Sequence, residues 1–432
     1  MNANLADPSP HGTIKQPARP TLLKVLGPGL ITGASDDDPS GTATYSQVGA
    51  QFGYNMGWVM LFSWPLMCAI QEISARIGRV TGRGIAGNLK RHYPVGGVYG
   101  VVSSLVVANV INIGADLGAM GAALKLLIGG PALIYVALFG LATVLLEVFS
   151  RYSRYVSVLK WMTLWLFAYV GVAFVVHIPW GTVGYNLVVP HITFAGPYIT
   201  AVVAVLGTTI SPYLFFWQAE EEVEEVKGRP QAKPLERAPE QANAEFQRIR
   251  WDTYIGMLLS NMVALFIILT TAATLNAQGV TDIQTSSQAA EALRPIAGPF
   301  AFFIFALGII GTGLLALPVL AGSAAYALGE TFGWHVGLSR KARRAKAFYG
   351  AIAVATLLGV GLNFSPIDPI KALFWSAVIN GVVAVPVMAL MMHLSSHRPA
   401  MGEFQLHVGL KIVGWLATLV MAAAAIGLFA TW

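Results

Sequence analysis

The chain has 432 residues, of which 55% are apolar and 11% charged, with a formal net charge of +6. A soluble domain carries about 25% charged residues, so the composition excludes a soluble globular fold and leaves a chain built for lipid. The single cysteine, Cys68, excludes an intramolecular disulfide and any cysteine-cluster metal site.

Residues 1–24 are polar and contain no apolar signal segment, so an uncleaved cytoplasmic tail is expected there. Apolar stretches then recur at 27–52, 55–78, 97–128, 131–149, 155–178, 197–222, 252–275, 298–328, 347–362, 367–393 and 408–430. This pattern predicts an all-α integral membrane protein with about 11 transmembrane helices, in one domain over 25–430. If every stretch crosses the bilayer, 24 of the 27 Lys and Arg residues fall on the side of the N-terminal tail. Lysine and arginine mark cytoplasmic loops, which places the N-terminus inside and the C-terminus outside the cell's inner (plasma) membrane. The same asymmetry explains the basic balance without nucleic acid; this side is called the basic end below. Segment 223–250, rich in Glu, Gln, Pro, Lys and Arg, is expected to be a solvated cytoplasmic loop.

The first stretch carries Asp36, Asp37 and Asp38, followed by Pro39, Ser40 and Gly41. Asp38 lies roughly 17–21 Å past the membrane boundary at Lys24–Gly27, near the middle of a ~30 Å hydrocarbon core. A charged Asp at that depth costs at least ~2.5–3.5 kcal/mol. Pro39 removes a backbone donor and disfavours helical geometry at Asp38, so the helix is expected to break there. Freed carbonyls and carboxylates at the midplane are tolerable around a bound ion or a cavity. One of the three Asp residues can also serve as the cap of the second half-helix.

The sixth stretch repeats the arrangement at Thr208-Thr209-Ile210-Ser211-Pro212-Tyr213. It enters from the opposite side, five helices later. Paired broken helices in inverted halves point to a transporter's central site. The two repeats are expected at about 25–178 and 195–393, helices 1–5 and 6–10, with an extra helix at 408–430. Glu220, Glu221 and Glu222 lie roughly 12–15 Å below the second break and form a possible acidic vestibule. Asn380 in the tenth stretch is a further candidate ligand, and Glu72 is expected to pair with Arg76.

The sequence resembles the NRAMP family of divalent-metal transporters, and most of all its magnesium-transporting branch. The resemblance is carried by Gly27-Pro28-Gly29, the Asp38-Pro39 break, Thr81-Gly82-Arg83, and Asp116 within Ile113-Gly114-Ala115-Asp116-Leu117. It implies a LeuT-type fold and uptake of divalent metal. The departures are systematic. Where the family has Asp-Pro-Gly-Asn, this chain has Asp38-Pro39-Ser40-Gly41; Ser211 and Tyr213 replace the Met and His of the sixth helix. Ala119 replaces a Glu, and the ninth stretch holds no ionisable group. A thioether favours soft ions, whereas magnesium prefers carboxylates, hydroxyls and water.

The expected activity is therefore movement of Mg2+, and also Mn2+, by alternating access and without proton coupling. The ligand set is Asp38, Asp37, Asp36, Gly41, Thr208, Ser211 and Asn380, with Asp116 and Tyr213 as proton-carrying or supporting groups. A proton-coupled Mn2+/Fe2+ symporter is the alternative. A membrane prenyltransferase using Mg2+ is a remote one, since neither acidic run has a basic cluster beside it to hold pyrophosphate. No enzymatic activity, cofactor or obligate protein partner is expected; the partners are the metal ion and the lipid bilayer.

Overall fold

The computed structural model describes residues 28–149 and 166–431; the tail 1–24 and much of the expected fifth span lie outside them. Fifteen helices of eight or more residues follow in order among the described residues. They are α1 Pro28–Asp36, α2 Pro39–Phe52, α3 Gly57–Thr81, α4 Ile85–His92, α5 Val95–Ile128, α6 Ala132–Phe149, α7 Phe167–Val175 and α8 Trp180–Val188. After them come α9 Gly196–Thr209, α10 Pro212–Gly228, α11 Ala242–Thr274, α12 Ala301–Phe332, α13 Lys346–Leu362, α14 Pro369–Ser396 and α15 Val408–Thr431. No strand occurs among the described residues.

Eight helical stretches among the described residues are long and apolar enough to cross a membrane, and Lys346–Leu362 is a shorter apolar helix. The chain is a multi-pass, all-α membrane protein. Its outer faces carry the expected apolar belt: Leu138, Leu141 and Leu145 on α6, and Ile412, Leu416 and Leu419 on α15, are exposed. Apolar faces of this extent on helices of spanning length suit a lipid surround.

Both predicted breaks are present, α1 to α2 and α9 to α10. Glycines hold the broken helices against straight ones. Side chains at Gly29 and Gly33 of α1 would collide with the α11 backbone at Thr253 and Gly256, and one at Gly49 of α2 with Ile268 and Thr271. Gly207 of α9 packs equally closely on Ala377 and Gly381 of α14. Small residues at these crossings let backbones approach, as helices in lipid require.

The motif Thr81-Gly82-Arg83 ends α3. Gly82 adopts φ 66°, a left-handed conformation suited to glycine, and its N–H reaches the Gly78 carbonyl at 2.9 Å. Thr81 Oγ1 accepts from Asn88 Nδ2 at 2.9 Å, which fixes α4 to the turn.

Segment 223–250 differs from the expected loop. Helix α10 continues to Gly228 and α11 starts at Ala242, with short 3-10 turns between. The reason is charge pairing: Arg248 bonds Glu222 and, at 2.9 Å, Glu245, while Arg79 Nε lies 3.3 Å from Glu245. Glu72 pairs with Arg76 at 2.6 Å, as its spacing predicts.

Gly207→Ala is expected to destabilise the protein by about 1–3 kcal/mol through overpacking. Gly350→Ala, where an added Cβ has open space, should be neutral or slightly stabilising. Thermal unfolding of the detergent-purified variants, followed by tryptophan fluorescence, measures both.

Candidate metal centre

Helix α1 stops at Asp36 and α2 starts at Pro39, leaving Asp37 and Asp38 as the link. Asp38 is the N-cap of α2, at φ −66° and ψ 172°. Its Oδ1 accepts from the Gly41 N–H at 2.6 Å and from Ser40 Oγ at 2.7 Å. Its Oδ2 accepts from Asn112 Nδ2 of α5 at 3.1 Å and from the Tyr213 hydroxyl of α10 at 3.3 Å. Asp38 is 1% exposed, so this buried carboxylate joins three elements.

The three aspartates do not share one pocket. Ser260 of α11 donates to Asp36 Oδ2 at 2.6 Å and contacts Asp37 Oδ1 at 3.1 Å. The cause is helical register. Gly29, Gly33 and Asp36 are spaced i, i+4, i+7 on α1, and the two glycines already face α11. Asp36 must therefore face α11 too, and Asp37 turns with it. Only Asp38 is bonded across to α5 and α10. Among the described residues no three His, Cys, Asp or Glu side chains form a metal-holding group.

The second break runs through Ile210 and Ser211, with Pro212 at the first position of α10. Ser211 Oγ donates back to the carbonyls of Gly207 at 2.5 Å and Thr208 at 3.0 Å, which leaves its lone pairs free to accept or ligate. The two breaks abut: a Cβ at Gly41 would lie 3.0 Å from Thr208 Oγ1. Gly41 thus supplies close approach and an amide to Asp38, rather than a side-chain ligand. Asn380 of α14 is 1% exposed, and neither side-chain atom of its amide has a hydrogen-bond partner. Its neighbour Gly381 sits on Val203 and Gly207 of α9.

Asp116 lies one helical turn beyond Asn112 on α5, fully buried. It stands near the Ser40 backbone amide and within the field of Asp38, with no hydrogen bond completed at either oxygen. Asn112, Ser40 and Ser260 are contributors that sequence reasoning missed. The i, i+4 relation of Asn112 to Asp116 was the available signal for one of them.

Of the expected vestibule acids, Glu222 is neutralised by Arg248, Glu221 is partly exposed, and Glu220 is buried. A cavity of about 660 Å³ opens instead at the end away from the basic loops, lined by Ala43, Gln47, Thr200, Asp282 and Lys371 among others. Ala43 lies a little over one turn beyond Asp38 on α2. Toward the basic end, Thr32 donates to Gln218 at 2.5 Å and the Gly29 N–H to Asp252 at 2.8 Å, holding α1 against α10 and α11.

Residues 29–431 match the family described as Nramp, natural resistance-associated macrophage protein-like. The divalent metal cation transporter MntH of Klebsiella pneumoniae (strain 342) is 27% identical over 414 residues, covering 94% of each chain. The manganese transporter of Eremococcus coleocola, solved with an aromatic bis-isothiourea substituted compound, superposes with a TM-score of 0.72 at 17% identity, over 98% of this chain and 89% of that one. Mhp1, a nucleobase-cation-symport-1 family transporter in a closed conformation with bromovinylhydantoin bound, gives 0.56 at 14% identity, over 94% and 93%. The LeuT-type fold implied by the sequence is the fold of this chain.

Asn112→Leu is expected to cost about 1.5–3 kcal/mol of stability, because it takes a donor from a buried carboxylate. Tyr213→Phe, which removes a longer bond, should cost less. The ranking is read from unfolding midpoints of the two purified variants.

Proposed function

The chain belongs to the Nramp family, and from that footing we propose that it moves divalent metal cations across the plasma membrane by alternating access, with Asp38 as the principal ligand. The observation that carries this reading is the pair of broken helices meeting at Gly41 and Thr208, with a buried carboxylate at the junction. Asp38, Thr208, Ser211 and the unpartnered amide of Asn380 supply oxygen donors around it. The cavity away from the basic end gives the ion its approach, and the Thr32–Gln218 and Gly29–Asp252 contacts close the other side. With the basic end in the cytoplasm, this is an outward-facing arrangement.

Mn2+ is one substrate in this proposal, in line with the manganese transporter that shares the fold. Mg2+ is a second, favoured by the residue at the break: Ser211 brings a hydroxyl and no thioether, and oxygen donors with water suit a hard ion. Proton coupling is not required in this reading. Tyr213 at the second break holds Asp38 as a hydrogen-bond donor, and residues 347–362 of α13 carry no Asp, Glu, His, Lys or Arg. At −100 mV a divalent cation gains about 4.6 kcal/mol on moving inward, enough by itself for accumulation.

Reconstituted protein is expected to take up Mn2+ and Mg2+ in proteoliposomes, and Asp38→Ala to lose both while still unfolding cooperatively. Retained uptake in that variant overturns the proposal. Ser211→Met should shift preference toward Mn2+ over Mg2+ by roughly tenfold, about 1.4 kcal/mol; Gly41→Asn is a poorer test, since Thr208 would have to yield. With the potential clamped, an internal pH dye should stay silent during uptake. Metal-dependent acidification that scales with uptake would assign Asp116 a proton-carrying role.

A further inference from the structure

Below the second break, α10 presents Tyr213, Trp217 and Glu220 at i, i+4, i+7, a single stripe. Tyr213 touches Asp38 at the top of that stripe. Helix α12 presents Gly322, Tyr326 and Glu330 at i, i+4, i+8 against it. The Trp217 and Tyr326 rings meet edge to face, with centroids 6.4 Å apart, and Trp217 lies over Gly322. Beyond this aromatic plug the two stripes end in a pair of carboxyls, Glu220 and Glu330, in mutual contact.

The pair has an asymmetric setting. Glu330 accepts from the Gly84 N–H at 2.8 Å and the Gly87 N–H at 2.7 Å, so it caps the N-terminus of α4 as an anion. Gly84 leaves room for both acids, because a Cβ there would collide with each carboxylate. Glu220 is 2% exposed, and its Oε2 has no hydrogen-bond donor. The nearest lysine on α10, Lys227, is committed to Glu224 at 3.1 Å. Two carboxylates in contact repel unless a positive charge lies between them.

We propose that Glu220 and Glu330 form a second divalent-cation site, an exit station on the basic side of the Trp217–Tyr326 plug. It rests on the transport reading above. Two carboxylates with water completing the shell are what a hard divalent ion such as Mg2+ or Mn2+ takes. Each Glu330 oxygen keeps a lone pair beyond its amide bond, and Glu220 Oε2 is unpartnered. When no metal is present, a proton can bridge the acids. An ion that passes the plug exchanges one carboxylate neighbourhood for another rather than crossing an apolar gap bare.

The test is equilibrium dialysis of the full chain in detergent micelles against Mn2+, raised to saturation. Wild type should bind two ions per chain. Glu220→Gln should bind one, with an unfolding midpoint equal to or above wild type, because the change relieves carboxyl repulsion. Asp38→Ala should also bind one, and the double variant none. Glu330→Gln leaves one of the two α4 amides without its acceptor, so Glu220→Gln carries the test if that variant fails to fold. One ion in wild type, lost in Asp38→Ala and kept in Glu220→Gln, overturns the second site, as does a Glu220→Gln variant that still binds two. If Asp38→Ala binds two while Glu220→Gln binds one, the exit station stands and Asp38 is not the central ligand.

Discussion

A carboxylate buried at membrane depth is the constraint that organises this molecule. Asp38 cannot stay ionised in hydrocarbon unaided, and the chain surrounds it with donors from its own helix start, from α5 and from α10. The helix break is the condition for this. An unbroken helix would have satisfied its own amides, whereas the start of α2 turns the Gly41 N–H toward the side chain. The second break brings Thr208 and Ser211 to the same level. Glycines on α1, α2 and α9 then allow both interrupted helices to lie close enough to straight partners to be held.

The arrangement divides polar chemistry by depth. Around the midplane the groups are buried and unevenly satisfied: Asp38 is surrounded by donors, whereas Asp116 and Asn380 have no completed hydrogen bonds. At the basic end charges are paired in networks, Arg248 with Glu222 and Glu245, Arg76 with Glu72. Unsatisfied polar groups are costly in a low-dielectric interior and persist in native structures where function uses them.

Much of this was legible in the sequence because the bilayer is a severe filter. A span needs about twenty apolar residues, so the ends of α3, α5, α14 and α15 fall within a few residues of the apolar runs. Pro39 and Pro212 announced the breaks through their missing donors. The orientation of the aspartates was not read, although the Gly29, Gly33, Asp36 spacing carried it. That spacing gains meaning only once α11 is known to be the neighbour. Ser260, Asn112 and Glu330 reach their partners across 224, 74 and 246 residues of chain, and no local pattern encodes such contacts. The connector at 229–241 looked longer from composition, because charged residues that pair across helices read as solvated when counted singly.

The proposed transport depends on Asp38 being where the ion sits. Crystals of the full chain soaked in Mn2+, with anomalous differences collected at the manganese edge, place the ion directly. The account predicts a peak against an Asp38 carboxylate oxygen, between the two breaks and within reach of Thr208, Ser211 or Asn380. A sole peak beside Asp36, Asp37 and Ser260, with nothing at Asp38, would contradict it.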